Sequence, residues 1–109
     1  MTEPREYTAE EIREIFLDYV RNLVNFCEKE TRKETLRERL ESLAFHILVA
    51  IDGESALPPF ILAPLPNSTD KAYYIENGKN YYPENNSSLI KGDIGGYLHD
   101  NFYKKKNEK

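Results

Sequence analysis

The sequence lacks the residues on which several common classes of protein depend. A single cysteine among 109 residues excludes an intramolecular disulfide framework and a four-cysteine zinc site. Tryptophan is absent, and no apolar run approaches the ~20 residues that a membrane-spanning helix requires. Residues 1–6 include acidic side chains and no apolar core, so we expect no secretory signal peptide. These absences predict one soluble cytoplasmic domain over residues 1–109, with no membrane partner.

What the chain does contain is unevenly distributed. Apolar residues make up 39% of the sequence, enough for a modest core without a metal ion, and the net charge is −4. Residues 1–55 carry 8 basic and 13 acidic side chains, whereas residues 56–109 carry 7 and 6. The second half also holds five of the six prolines and six of the eight tyrosines. This change in composition predicts helices first and a strand- and loop-rich part afterwards.

The first half predicts an antiparallel helical hairpin over residues 8–52. Thr8 and Glu11 have the spacing of a capping box, and Thr31 with Glu34, or Thr35 with Glu38, offers a second one. Apolar side chains recur at steps of four and three along both segments. They are Ile12, Phe16, Tyr19, Leu23 and Phe26 in the first helix, then Leu36, Leu40, Leu43, Ile47 and Ala50 in the second. Matching periods and a short connection favour two helices packed side by side.

The end of the second helix is apolar on every side. From Leu43 to Ile51 no charged residue occurs, so we expect this stretch to be covered on both faces, with the tyrosine-rich half as the cover. The alternation of Ile47, Val49 and Ile51 would also suit a buried strand over residues 45–51. We favour the helix because the helical phase continues unbroken from Leu36 to this point.

The second half predicts strands over residues 56–83 and a helix over residues 93–104. Four prolines flank residues 60–63, which would limit them to an edge strand or an extended segment. Asn77-Gly78 lies between two aromatic runs, a pattern typical of a β-hairpin over residues 73–82. Asp93 could cap the last helix, and residues 104–109 form a basic tail. Together with the helical hairpin, these elements predict an α+β fold.

Three side chains are candidates for chemistry, and each also has a structural interpretation. Cys27 could act as a thiol nucleophile, but its place on the apolar stripe favours a core residue. His46 lies between Phe45 and Ile47, so it could be a general base or, as we favour, a hydrogen-bonded histidine of the core or its boundary. His99 is the more interesting candidate, because it stands six residues into the predicted last helix, where carboxylates from loops could join it.

An acid–base or metal-binding site would need His99 together with Asp93, Asp52 or Asp70. Dense ligand spacing such as two histidines four residues apart is absent, so no metal and no cofactor are predicted. Without supporting carboxylates, His99 is simply part of the polar face of an amphipathic helix.

The tyrosines of the second half predict a binding surface. Tyr73, Tyr74, Tyr81 and Tyr82 could stack on single-stranded nucleic acid, but the net charge of −4 opposes phosphate binding. On a hairpin, one face would pack against the second helix and the other would remain exposed, which suits a protein partner or self-association. The uncharged segment 56–69 would be a further contact surface if it is exposed.

Four short stretches resemble a family of small uncharacterised bacterial proteins. They are LAFHIL at 43–48, DG at 52–53, GKNYYP at 78–83 and LHD at 98–100. The resemblance covers residues 36–103, implies no activity, and points to a cytoplasmic protein of a bacterium or prophage. The residues themselves favour a non-enzymatic interaction module, such as a small acidic accessory or immunity-type protein. A small enzyme or metal-binding protein using His99 is the alternative, and a single-stranded nucleic-acid binder is the third hypothesis.

Overall fold

The computed structural model describes residues 3–85 and 90–104 and contains four helices in that part. They are α1 (Ala9–Glu30), α2 (Leu36–Asp52), α3 (Asp70–Glu76) and α4 (Leu98–Phe102). No strand occurs in these two ranges, so the predicted α+β class is wrong, whereas the N-terminal helical hairpin is confirmed. The contacts divide the chain into a first unit, Met1–Leu48, and a second unit, Val49–Lys109.

Both helices of the first unit begin with a reciprocal capping box. The Thr8 hydroxyl accepts the Glu11 N–H at 3.2 Å, and the Glu11 carboxylate accepts the Thr8 N–H at 2.9 Å. Thr35 and Glu38 repeat the arrangement at 3.1 and 3.0 Å, so the second of the two predicted frames starts α2. Each box satisfies two backbone donors that a helix start would otherwise leave without a partner.

The predicted capping box of Thr31 with Glu34 does not form, because the Thr31 side chain is already bonded at the C-terminus of α1. Its hydroxyl donates to the Cys27 carbonyl at 2.6 Å, and its own N–H donates to the same oxygen at 3.1 Å. Arg39 then reaches back from α2, donating to the Thr31 hydroxyl at 3.2 Å and to the Glu28 carbonyl at 2.9 Å. These bonds satisfy the last carbonyls of α1 and set the short connection between the helices.

The helices of the first unit are antiparallel, and their packing is shallow. Side chains pair in reverse order along the two helices: Thr31 with Arg39, Cys27 with Ser42, and Phe26 with His46. In the described part of the first unit, Cys27 is the one buried apolar side chain, as its place on the apolar stripe predicts. Since two helices share a single seam, much of a wide apolar stripe stays in solvent.

Residues 45–51 are helical, which confirms the helix over the rival strand. Residues 41–49 are all half-buried and Ala50 is fully buried, which matches an apolar composition on every side. The helix ends in a Schellman motif: Gly53 N–H donates to Ala50 and Glu54 N–H to Val49. Gly53 has a φ of +83°, and a Cβ at this position would lie 2.6 Å from that of Pro59. Both the backbone angle and the close approach therefore require glycine.

The predicted β-hairpin over residues 73–82 is wrong, because Asn77-Gly78 ends a helix instead of turning a hairpin. Gly78 has a φ of +68° and donates to Ile75, and Lys79 donates to Tyr74, which is again the Schellman pattern. At the start of α3 the Asp70 carboxylate accepts the Asn67 N–H at 2.8 Å. Glycine after asparagine suits both structures, since each requires a positive φ at that place. Tyr81 and Tyr82 follow in irregular backbone, outside any helix or strand.

The last helix is shorter than predicted. It spans Leu98–Phe102 instead of residues 93–104, because Asp93 does not cap it. The Asp93 carboxylate instead accepts N–H groups from Leu62 and Gly95, and Gly96 has a positive φ that breaks a helix. Of the predicted basic tail, residues 105–109 lie outside the described residues. None of the helices in the described ranges combines the length and apolarity needed to cross a membrane.

Candidate functional site

The carboxylate of Asp52 accepts several hydrogen bonds from residues 96–99 of the second unit. One oxygen accepts the Gly96 N–H at 2.6 Å, and the other accepts the His99 N–H at 2.7 Å and lies 2.5 Å from His99 Nδ1. The Asp52 side chain is fully buried, whereas that of His99 is about one-fifth exposed. Because an ionised carboxylate can only accept hydrogen bonds, His99 Nδ1 carries a proton and donates a hydrogen bond to Asp52. The last residue of α2 is thus joined to the first turn of α4.

The pKa of Asp52 results from opposing influences. Burial is the largest and disfavours the charged form, but hydrogen bonds from the His99 backbone and ring, and from the Leu98 and Gly96 backbone, together outweigh it. They lower the pKa of the carboxyl group to about 2 from an ordinary value of 3.8. Asp52 therefore stays ionised at any physiological pH.

The pKa of His99 is raised above its ordinary value of 6.5. The hydrogen bond to Asp52 is the main cause, partial burial opposes it, and the negative charges of Asp100, Asp52 and Glu54 add to the rise. The Asp100 carboxylate lies 3.3 Å from His99 Nε2, so both ring nitrogens face carboxylates. The arrangement favours an imidazolium held between two acids, rather than a neutral base presented to a substrate.

The bonds to Asp52 indicate that Asp52 and His99 have a structural role at the start of α4. Tyr97, at the N-cap position of α4, makes no side-chain capping bond, and Asp52 supplies that bond from a distant part of the chain. A negative charge at this place also suits the partial positive charge of a helix start. We infer that Asp52 and His99 form a structural latch, which holds the last helix to the end of α2.

The other two predicted carboxylates accept hydrogen bonds from backbone N–H groups of the second unit. Asp93 accepts from Leu62 at 2.9 Å and from Gly95 at 3.0 Å, and these bonds lower the pKa of its carboxyl group. Asp70 accepts from Asn67 near the start of α3. Of the three carboxylates considered as partners of His99, the structure therefore brings Asp52 to its ring, whereas Asp93 and Asp70 accept from other backbone N–H groups.

His46 belongs to the packing of the first unit. Its Nδ1 lies 2.7 Å from the Ser42 carbonyl, one helical turn earlier, and its ring meets those of Phe26 and Phe45 edge-on at 5.7 and 5.8 Å. A carbonyl oxygen can only accept, so Nδ1 is the donor. Over the described ranges, no group of three or more histidine, cysteine, aspartate or glutamate side chains is arranged to hold a metal ion.

The four predicted binding tyrosines are split between a helix and a loop. Tyr73 and Tyr74 lie on α3 with their rings edge-on at 5.7 Å, and Tyr73 is the more exposed of the two. Lys71 Nζ lies 5.2 Å above the ring of Tyr81, which joins α3 to the following segment. Tyr82 is 61% exposed and borders an apolar groove.

The apolar groove is a carbon-rich concave surface of the second unit. Its volume is about 490 Å³, and it is lined by Leu62, Ala63, Pro64, Tyr82, Pro83, Gly92 and Ile94. Leu62, Tyr82 and Ile94 are large apolar or aromatic side chains that remain exposed around it. A concave surface of this composition is typical of a ligand or peptide site.

Hydrogen bonds fix the three segments that form the apolar groove. Ile94 N–H donates to the Leu62 carbonyl at 2.8 Å, beside the Asp93 bond to the Leu62 N–H. Asn85 donates to the Pro64 carbonyl at 2.5 Å and also accepts the Lys91 N–H. The bonds of Ile94 to Leu62 and of Asn85 to Pro64 join distant parts of the sequence, so the chain holds the groove together through its own contacts.

The sequence pointed to Tyr82 as a binding residue and to segment 56–69, which holds Leu62, Ala63 and Pro64, as a contact surface if exposed, but not to Pro83, Gly92 and Ile94. The available signal was the uncharged segment 56–69, whose apolar side chains have no charged neighbours. Ile94 falls within the predicted helix 93–104, whereas its observed position depends on the bond to Leu62, 32 residues earlier.

No family model, no curated protein and no solved structure matches this chain. The resemblance to small bacterial proteins therefore stays a prediction.

Proposed function

We propose that this protein is a non-enzymatic interaction module that binds another protein through the apolar groove of its second unit. The observation that carries this proposal is the exposure of Tyr82, Leu62 and Ile94 around one preformed groove. Tyrosine is one of the residue types that carry most of the binding energy in protein interfaces, and apolar side chains around such a residue exclude water from the contact. An acidic chain located in the cytoplasm fits the same role.

Exposed side chains outside the groove make matched controls possible. Tyr82→Ser and Ile94→Ser remove apolar contacts from the groove, whereas Tyr97→Ser and Leu65→Ser do so at exposed positions that do not line it. The immobilised full chain is used to capture a partner protein. We expect the groove variants to capture at least about tenfold less of it, and the controls to capture as much as the wild-type chain. Equal capture by all four variants would contradict the proposal, provided that circular dichroism shows unchanged helix content.

A second candidate is an acid–base or metal-dependent function at His99, and the specific observation in its favour is the 2.5 Å contact with Asp52. Two other observations count against it: Nε2 faces Asp100, and Asp52 is engaged with backbone donors of α4. The variant His99→Asn distinguishes a catalytic role of His99 from a structural one. If His99 acts on a substrate, partner capture stays intact and catalysis is abolished, and if it is structural, only stability changes.

Binding of single-stranded nucleic acid has less support. Lys71 is engaged above Tyr81, and the exposed tyrosines lie in a chain whose net charge is −4. Affinity for an oligonucleotide that falls as the salt concentration rises would be needed to favour this function.

A further inference from the structure

The first unit exposes an apolar surface that its own two helices do not cover. Val24, Leu36 and Leu40 are 47%, 71% and 57% exposed, and they border one depression of about 180 Å³ together with Cys27 and Leu43. A hairpin of two helices buries only the seam between them, so a second pair of helices is the usual cover for such a face. An aliphatic side chain from another helix would fit this depression.

A basic cavity adjoins the apolar depression. It has a volume of about 440 Å³, is lined by Lys29, Arg32, Arg39 and Glu28, and shares the last two residues with the depression. Residues 29–39 carry five basic and three acidic side chains, a net charge of +2. The surface near the connection between α1 and α2 therefore suits a segment that presents aliphatic and acidic side chains together.

The first half of α1 is a segment of this kind. Residues 3–20 carry six acidic and two basic side chains, a net charge of −4. Glu10, Glu14 and Leu17 follow one another at helical spacings of four and three, and the same face continues at those spacings through Arg21 to Val24. All three are exposed, with Leu17 large and apolar. The acidic half of α1 thus shares one helix face with Val24, which borders the apolar depression.

We propose that the first unit pairs with a second copy of itself in antiparallel orientation, so that four helices form a bundle. In this arrangement Glu10, Glu14 and Leu17 of one copy lie against the basic cavity and apolar depression of the other. A two-fold axis repeats each contact, which is what an isologous interface requires. Opposite charges meet at both ends, whereas a parallel pair would place like charges together. The surface is separate from the groove of the proposed function, so the two proposals can fail independently.

The apolar part of this proposal is tested by the mass of the full-length protein in solution. We expect a dimer by sedimentation equilibrium, with dissociation that depends on protein concentration and increases with salt. Leu36→Glu and Leu40→Glu should raise the dimer dissociation constant at least about tenfold, because each inserts a charge into an apolar contact. Both positions are exposed helix sites at which glutamate is tolerated, so the helix content measured by circular dichroism should not change.

The matched control is Leu65→Glu, the same substitution at an 80% exposed position of the second unit. It should leave the dissociation constant unchanged. A monomeric wild-type protein, a trimer or larger assembly, or a dimer insensitive to Leu36→Glu would each overturn the proposal.

The orientation is tested by exchanging charges. Glu14→Arg and Arg32→Glu should each weaken the dimer, and the double variant should recover affinity because the opposite charges again face each other across the interface. Neither residue contributes to the capping boxes or to the bonds of Arg39. Additive weakening in the double variant would exclude the antiparallel arrangement.

Discussion

Asp52 and His99 lie 47 positions apart in the sequence, yet one carboxylate oxygen of Asp52 contacts both the backbone N–H and the ring Nδ1 of His99. The same carboxylate accepts from Gly96, so it stands in for the side-chain cap that α4 lacks. Helix α4 has only five residues, and a helix of that length has little stability of its own. The latch is therefore expected to decide whether the last helix forms.

Asp52→Asn should destabilise the second unit by about 2–4 kcal/mol, because it removes a buried charge from donors that stay buried. The amide retains one acceptor and almost the same volume, so the loss reports on charge and bonding rather than on packing. Urea denaturation followed by circular dichroism measures the change. Asp100→Asn is the matched control at an exposed carboxylate near the same ring, and it should cost less than about 1 kcal/mol. Equal losses in the two variants would refute the capping role.

The same contact predicts how stability depends on pH. The pKa of His99 is raised in the folded protein, so its contribution is complete below its ordinary value of 6.5 and disappears as the pH rises through the raised value. The pKa of Asp52 is lowered to about 2 from 3.8, so its contribution is complete above pH ~4 and disappears as the pH falls towards 2. We expect the second unit to be most stable between about pH 4 and 6.5.

Denaturation midpoints measured across pH 5–9 would check the alkaline limb of this profile. His99→Asn keeps a side-chain donor near Asp52 but cannot titrate, so its midpoint should no longer fall as the pH rises above 6.5. His46→Asn, which alters the other histidine of the chain, should retain the fall. A fall that persists in the His99 variant would assign it to another group.

The local signals in the sequence predicted the first unit better than the second. Caps such as Thr8 with Glu11 and the periodic apolar positions act within a few residues, so their outcome can be inferred from spacing alone. Thr35 caps α2 because Thr31 is engaged at the C-terminus of α1, where its hydroxyl bonds the Cys27 carbonyl and accepts from Arg39 of the other helix. Spacing alone carries no information about a contact of that kind.

The second half was mispredicted because its signals are ambiguous or act over long distances. Asn77-Gly78 satisfies a hairpin turn and a helix C-terminus equally well, and the aromatic residues around it favoured the wrong choice. Asp93 is a residue type that often caps helices, but its carboxylate accepts from the Leu62 N–H instead. The start of α4 is capped by Asp52, which lies at the end of another helix. The candidate site was predicted only as a list of residues, because the partner of His99 is set by tertiary contacts.

Two glycines with positive φ should differ sharply in their tolerance of alanine. Gly78→Ala should cost about 1–2 kcal/mol, because Gly78 has a φ of +68° but nothing within 4 Å of a Cβ. Gly53→Ala adds a clash with Pro59, whose Cα would lie 2.7 Å from the new atom, so we expect a loss of about 3–5 kcal/mol. Thermal unfolding of the two variants in parallel would test this order, and a larger loss at Gly78 would contradict the described path of residues 53–59.

Two arginines in the first two turns of α2 should contribute unequally to the helical hairpin. Arg37 makes an exposed pair with Glu41 on its own helix, which is worth no more than about 0.5 kcal/mol. Arg39 instead bonds the Glu28 carbonyl and the Thr31 hydroxyl, so it joins the two helices and satisfies the end of α1. Arg39→Gln should therefore cost about 1–2 kcal/mol, and Arg37→Gln should be close to neutral. Hydrogen exchange at the amides of residues 27–31 gives a second measurement, since the N–H of Thr31 donates to Cys27 beside these bonds. Faster exchange in the Arg39 variant alone would show that this side chain, rather than positive charge near the connection, holds the end of α1.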